Sequence, residues 1–439
     1  MNAFKTTSRL ARACATLVLW ACTLAAAPAF ADDPSDADLS GDWGGARTQL
    51  HDAGIDFDIV YFSEFATNLQ GGTSTKYAYA AEGSIASTLN LQTLFGWHGA
   101  SFRVKFTNRN GDGLNQQAEL NEIMPSQAIY GRGSVTRLSQ FYLQQDLLGG
   151  DLRLKLGRLA VGDEFGDFPC EFMLLPFCGS QIGNLVSTAY NNPVSQWAAY
   201  GRYAFSPSFY GAVGIYQVNP SWLKNSQGLN FGSPHGTIGA LLPYEFGWQP
   251  TLNGLPGQYK IGGWYETSSL DDVVLDENGG NRLQTGDPAL KRGHEFGFFM
   301  SIVQQLTAPA PGSKRGLTAE VYWMLPDAHT ATVDQQTSVA LVYHGPFAAR
   351  PDDLVGIGAA RIHVNSHLSA GEALYNADLP DGMTPLDVQG SERSYSMFYR
   401  LQLLPSLYTT PELQLIHDPS GSSRNQDDVV FALRTVINF

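Results

Sequence analysis

A chain of 439 residues with 41 acidic against 27 basic side chains carries a net charge of −14. That excludes nucleic acid as a partner, because it needs clustered basic surface to displace its counterions. Beyond residue 31 no run approaches the 18 or more apolar residues of a membrane helix, and 12% of the chain is aromatic with 46 glycines. An all-β chain remains, either soluble or closed into a membrane barrel whose strands show only alternating hydrophobicity.

Residues 1–31 read as a secretory signal peptide: a basic start at Lys5, Arg9 and Arg12, an apolar run from Ala13 to Ala27, and a cleavage site at Ala29-Phe30-Ala31. Cys22 raises a lipoprotein signal instead, against which stands Trp20, bulky where a small residue is wanted. Residues 32–55 form an N-terminal periplasmic segment, and 56–439 follow as one repeating pattern of strands.

The first strand candidate is 56–65, followed by 84–95 and 99–110. In the third, Phe102, Val104 and Phe106 share one face and Arg103, Lys105 and Thr107 the other. That period of two marks a strand with one apolar side. Residues 138–147 carry Gln140, Tyr142 and Gln144 on one face and run into a Gly149-Gly150 turn. In 151–159, Leu152, Leu154 and Leu156 oppose Arg153 and Lys155, with Gly157 a candidate bulge. Candidates continue at 195–205, with Arg202, then at 209–218 and 244–249. In 258–267, Lys260, Trp264 and Glu266 share a face opposite Ile261 and Tyr265. Then come 294–306, 317–325, 338–344, 354–364, 394–404 with Arg400, 407–417 and 429–439. The last places Val429, Phe431, Leu433, Thr435, Ile437 and Phe439 opposite Val430, Ala432, Arg434, Val436 and Asn438. That makes sixteen strands.

Connector lengths sort in the way a membrane barrel requires. Short turns at 96–98, 148–150, 206–208 and 405–406 alternate with long polar stretches at 108–136, 160–193, 219–243, 268–292, 365–392 and 418–427. A short-turn periplasmic rim and a long-loop outer rim account for this, and a soluble sandwich has no reason to produce it. The fold expected is therefore a transmembrane antiparallel β-barrel of sixteen strands. Phe431, Leu433, Ile437 and the terminal Phe439 resemble the signal by which the barrel assembly machinery recognises such chains.

Arg103, Lys105, Arg153, Lys155, Arg202, Lys260, Arg400 and Arg434 fall on the polar faces, and isolated charges cannot sit in a dry core. A water-filled lumen accommodates them, and about sixteen strands close a cylinder wide enough to hold one. Each cation alone is equally well explained as a wall charge paired with a carboxylate. Acidic pairs gather in loops: Asp271-Asp272, Asp276-Glu277, Asp352-Asp353 and Asp427-Asp428. Of the two cysteines left after processing, Cys170 and Cys178, an exported protein is expected to make a disulfide. Asp276, Asn278 and Gly280 faintly resemble a calcium loop, but Asn281 stands where the obligatory glycine belongs, so no cofactor is expected. Neither HExxH nor GxSxG nor a phosphate-cradling loop occurs, and an enzyme is not expected.

The chain also resembles a known family, the carbohydrate-selective porins of the OprB type, over its whole mature length. The similarity is carried by GDWGGARTQLHDAGIDF (41–57), LKLGRLAVGDEF (154–165), FCGS (177–180) with Cys170, PVSQWAAYGRY (193–203) and GIYQVNP (214–220). It continues in FAARPDDLVGIG (347–358), TPELQLIHDPSG (410–421) and the terminal strand. The resemblance implies a sixteen-stranded outer-membrane barrel, a short helix within 32–55, uptake of sugars such as glucose, and a homotrimer. By analogy with porins generally, the loop holding Cys170 and Cys178 would fold inward and narrow the channel; a disulfide that only staples an exposed loop fits the sequence equally well. The sugar path is then expected along Arg103, Lys105, Gln140, Tyr142, Gln144, Arg153, Lys155, Arg202, Lys260, Trp264, Glu266, Arg400 and Arg434. Lys260, Trp264 and Glu266 would supply a donor, an aromatic plate and an acceptor, and Trp264 fits equally well as an interfacial girdle ring facing lipid. Two other readings share the pattern: a general or anion-selective pore, and a structural or adhesive barrel.

Overall fold

The computed structural model describes residues 38–129 and 131–439, so the signal peptide lies outside the described residues. Sixteen long strands form the wall: β1 (Ile55–Gln70), β2 (Tyr77–Asn90), β3 (Ala100–Gly111), β4 (Thr136–Leu147), β5 (Leu152–Leu159), β6 (Gln196–Ser206), β7 (Phe209–Val218), β8 (Gly239–Trp248), β9 (Leu255–Glu266), β10 (Glu295–Gln305), β11 (Gly316–Leu325), β12 (Val333–His344), β13 (Leu354–Val364), β14 (Ser391–Leu404), β15 (Leu407–His417) and β16 (Asp428–Asn438). Each pairs antiparallel with its sequence neighbours, and β16 returns to β1 with Tyr61 opposite Ile437 and Phe65 opposite Leu433. Closure leaves no wall strand with a free edge, which is the condition for crossing hydrocarbon.

The outer surface follows the alternation. Ile85, Leu154, Leu156, Val213, Ile215, Phe246, Ile261, Phe298, Leu341, Ile357 and Met397 are all exposed. A girdle of apolar side chains this extensive is incompatible with water and fits a lipid surround. The helix Ala46–Asp52 sits at the short-turn end beside the barrel seam. There Arg47 donates to the carbonyls of Phe439 and Phe57, both at 3.0 Å, and pairs with Asp38. At the opposite end a small hairpin (Leu270–Asp276 with Ala289–Arg292) meets the helix Ser366–Ala377, where Asn281 donates to the carbonyl of Gly371 at 2.7 Å.

Several boundaries differ from the sequence reading. Residues 91–95 are a helix rather than the end of a strand: the Asn90 side chain accepts from the N–H groups of Gln92 and Thr93, and Gly96 at φ 73° ends the turn. Strands β1 and β2 run on to Gln70 and back to Tyr77, because the small residues Ala66, Ala78, Ala80 and Ala81 are buried in the wall although they break the large-apolar alternation. β8 begins at Gly239, five residues earlier than expected.

Gly157 is not a bulge. Its neighbours keep register across both adjacent strands, with Tyr142 on one side and Ala198 on the other. The glycine is required because φ is 147° and a Cβ there would come within 2.2 Å of the Phe141 carbonyl oxygen. The real bulge lies at Ser139, where Lys105 faces Gln140 but Phe106 faces Leu138. Gly157→Val should lower barrel stability by about 2 kcal/mol or more, read as a lower urea midpoint for the heat-modifiable folded band.

Candidate functional site

The residues 160–195 connecting β5 to β6 are too apolar to remain in water. Val161, Phe165, Phe168, Phe172, Met173, Leu174, Phe177 and Ile182 are all 0–3% exposed. They are buried by turning into the barrel. One part of the loop packs against wall residues Tyr200, Tyr216, Trp264, Phe299 and Tyr322. Another packs against Ala340, Val342, Ile362, Phe398 and Ile416, with Met124 from the loop joining β3 to β4. The disulfide Cys170–Cys178 closes a small ring within it.

A loop buried this way takes backbone N–H and C=O groups out of water, and each needs a partner. The barrel wall supplies them from several strands. Glu412 on β15 accepts from the N–H of Met173 at 2.6 Å and of Leu174 at 3.1 Å. Glu245 on β8 accepts from Gly166 N–H at 2.8 Å and from the Tyr210 hydroxyl at 2.6 Å. Lys260 on β9 donates to the Asp167 carbonyl at 2.9 Å, and Ser338 on β12 to that of Pro176 at 2.8 Å. Arg434 on β16 donates to the Cys170 carbonyl at 2.8 Å while its guanidinium pairs with Glu64, also at 2.8 Å. Glu266 accepts from Thr188 of the loop and from Ser268. The loop joining β3 to β4 is tied in the same way: Gln127 donates to the Glu64 carbonyl and Gln414 to that of Ser126.

These contacts correct part of the expected path. Lys260, Trp264, Glu266 and Arg434 are 4%, 1%, 0% and 1% exposed, so none presents a surface to solute. Trp264 is neither an open plate nor a lipid-facing girdle ring. It lies under the loop, over Gly297, where a Cβ would stand 2.2 Å from the indole. Arg202 and Arg400 are half-buried and lie over the rings of Tyr210 and Tyr408, at 4.0 and 4.4 Å from the centroids.

The remaining predicted residues converge on the inner face of β3, β4 and β5. Arg103 donates to Gln140 at 2.8 Å, Asp58 at 2.9 Å and Thr88 at 2.7 Å. Gln140 in turn donates to Asp163, an exposed residue near the start of the inward loop, at 2.8 Å. Lys155 pairs with Glu164 and stands 5.0 Å from the ring centroid of Tyr142. Arg153 pairs with Asp146 at 2.8 Å, and Gln144 donates to that carboxylate at 3.2 Å. Lys105, opposite Gln140 in register, makes no side-chain hydrogen bond or ion pair among the described residues. Arg103, Lys105, Gln140, Gln144, Arg153 and Lys155 are half-buried and Asp58 and Asp163 exposed, which marks the wetted side of the lumen; Tyr142, by contrast, is buried in the cluster packed against the inward loop and leaves the expected path.

The sequence reading missed the carboxylates. Asp58, Asp163 and Glu164 face the cations, and Glu64, Glu245 and Glu412 hold the loops. Glu64, Glu245 and Glu412 lie in the strand candidates 56–65, 244–249 and 407–417, on which the sequence reading assigned no inner face, so nothing in it singled them out. Acidity is thus not confined to the outer loops. Asp276, the first residue of the calcium-like run, is held below the usual carboxylate range by the Thr285 hydroxyl and by the N–H groups of Gly280 and Asn278. It caps a turn.

Comparison with known proteins decides what this architecture is. Residues 74–439 match the family described as carbohydrate-selective porin, OprB family. The chain belongs to that family. It is 36% identical over 423 residues to Porin B of Pseudomonas aeruginosa, covering 93% of each chain. The high-pH structure of Pseudomonas putida OprB covers 94% of this chain and all of that one at 36% identity, with a TM-score of 0.89. The low-pH structure of the same protein covers 93% of this chain and all of that one at 27% identity, with a TM-score of 0.60. The porin is accordingly a bacterial outer-membrane channel for carbohydrate, with a closed sixteen-strand barrel and a short N-terminal helix.

If the wall carboxylates hold the loop, removing one should widen the channel without unfolding the barrel. Glu412→Ala leaves two buried N–H groups without an acceptor, at roughly 1–3 kcal/mol each. The expected result is a folded band of normal mobility with larger and noisier single-channel conductance.

Proposed function

We propose that the porin selects monosaccharides such as glucose where Arg103, Lys105, Gln140 and Lys155 on β3–β5 face Asp58, Asp163 and Glu164. The observation that supports this is the mixed rim, where Lys105 faces the charge of Asp163 but makes no side-chain hydrogen bond or ion pair among the described residues. A sugar is neutral and rich in hydroxyls, so it is recognised by donors and acceptors placed together. Arg103, held by three partners, keeps its geometry as a solute passes. Lys105 has no such tether and can follow a hydroxyl. The ring of Tyr142, buried beside Lys155, backs the ammonium group and lies outside the sugar path.

Attraction in a channel must be weak enough for release, which puts sugar binding in the millimolar range as an order of magnitude. Glucose should block ion current across a planar bilayer saturably. Lys105→Ala should weaken that block about tenfold, and liposome swelling should fall steeply from mono- to trisaccharides. Current indifferent to every sugar would favour a general or anion-selective pore.

We also propose assembly as a homotrimer through the outer face of β1–β3. Gly83 stands there at the floor of a shallow groove edged by Ile59, Tyr61, Ile85 and Phe106. A Cβ at Gly83 would meet nothing within 4 Å, so the protomer's own packing does not require glycine. Small residues that let backbones approach are what association in lipid uses. Gly83→Leu should leave the barrel folded and shift detergent-solubilised protein from trimer to monomer by light scattering. The outward Phe431, Leu433 and Ile437 of β16, with Phe439 just beyond it, are the residues the assembly machinery would read.

A further inference from the structure

The outer wall changes chemistry abruptly near the long-loop rim of β12–β15. One cross-strand row, Val339–Ala359–Tyr395–Leu415, is apolar. The next row toward the rim is Thr337–Arg361–Arg393–His417, and above it stand Gln335, His363 and Ser391. The switch falls at one height on four strands and marks where hydrocarbon gives way to headgroups. Arg361 and Arg393 are directly opposite each other and both exposed. Like charges so placed repel unless an anion lies between them.

The carboxylates nearby are already engaged. Asp418 accepts from Arg393 at 2.9 Å and lies 3.3 Å from His417, Asp427 holds the other ring nitrogen of His417 at 2.8 Å, and Asp334 meets His363 at 2.7 Å. Arg361 has only neutral partners, Gln335 and Ser391, both at 3.0 Å, and no ion pair among the described residues. Beside it opens a cleft of about 440 Å³ lined by Pro326, Ala328, Asp334, Arg361, His363 and Ser366. A guanidinium without a carboxylate, above an apolar wall and beside a cleft, is suited to a phosphate oxygen pair.

We propose that this rim binds a phosphate of an outer-leaflet glycolipid headgroup, its acyl chains lying along the apolar row below. The site rests on the outer-membrane location of the porin and not on its sugar path, so either can fail alone. The test is native mass spectrometry of detergent-purified porin with bisphosphorylated lipid A, with the same lipid stripped of phosphate, and with inorganic phosphate. The wild type should retain the phosphorylated lipid, with about tenfold weaker retention in Arg361→Gln and recovery in Arg361→Lys; sugar block should be unchanged in both. Equal retention by wild type and Arg361→Gln, or equal retention of the phosphate-free lipid, overturns the proposal. So does a free-phosphate complex that excludes lipid A, or dissociation of trimers by Arg361→Gln, which would make this wall a protomer contact. Should Arg361→Gln fail to fold, Ser391→Ala, which frees the guanidinium of one partner, must still retain the lipid for the assignment to stand.

Discussion

A peptide group taken out of water must find a partner, and in this porin that rule operates twice. In the wall it closes sixteen strands into a ring. Inside the ring it governs the 160–195 loop, whose eight nearly inaccessible apolar side chains draw its backbone into the lumen. Glu412, Glu245, Lys260, Ser338 and Arg434 then become necessary, because they meet N–H and C=O groups that the inward turn withdraws wholly or partly from water. The charged inner wall is therefore two different things. Over much of the circumference it is scaffolding for a loop, and along β3–β5 it is open to solute.

That division explains why the outer face was legible in the sequence and the inner face only half so. Lipid imposes one chemistry on the outside, so Leu154, Leu156, Ile261 and Met397 are apolar at every second place and the strand pattern follows. Connector lengths carry orientation for the same reason of physical necessity. The inner face has no single solvent. Trp264 and Lys260 share a parity, and one-dimensional pattern cannot tell that both lie beneath a loop while Lys105, of the same inward kind, stays partly exposed. Only the path of the loop separates them, and that depends on contacts far apart in sequence, such as Met173 with Glu412.

Smaller misreadings had local causes. At 91–95 the side chain of Asn90 and the left-handed Gly96 outweighed a run that scans as strand. At Gly157 a positive φ was read as an interruption of the ladder, whereas the ladder continues and the glycine answers to the close approach of the Phe141 carbonyl. The bulge at Ser139 left no sign that pattern could use, because serine is ordinary on an inner face. It nonetheless matters to the site, since it sets Gln140 opposite Lys105 and within reach of Asp163.

The strand number fixes how much room the ring encloses, but the loop decides how much of it is left. Its apolar side chains pack against the wall at residues from Tyr200 on β6 to Ile416 on β15, and its acidic start, Asp163 and Glu164, reaches the cations of β3–β5. Pore width and pore chemistry are thus set by one segment, held by the Cys170–Cys178 ring and by wall charges on strands as distant as β8 and β15. A barrel of this kind can change its solute by altering loop residues alone, provided the acceptors and donors that tie the loop's backbone to the wall are kept.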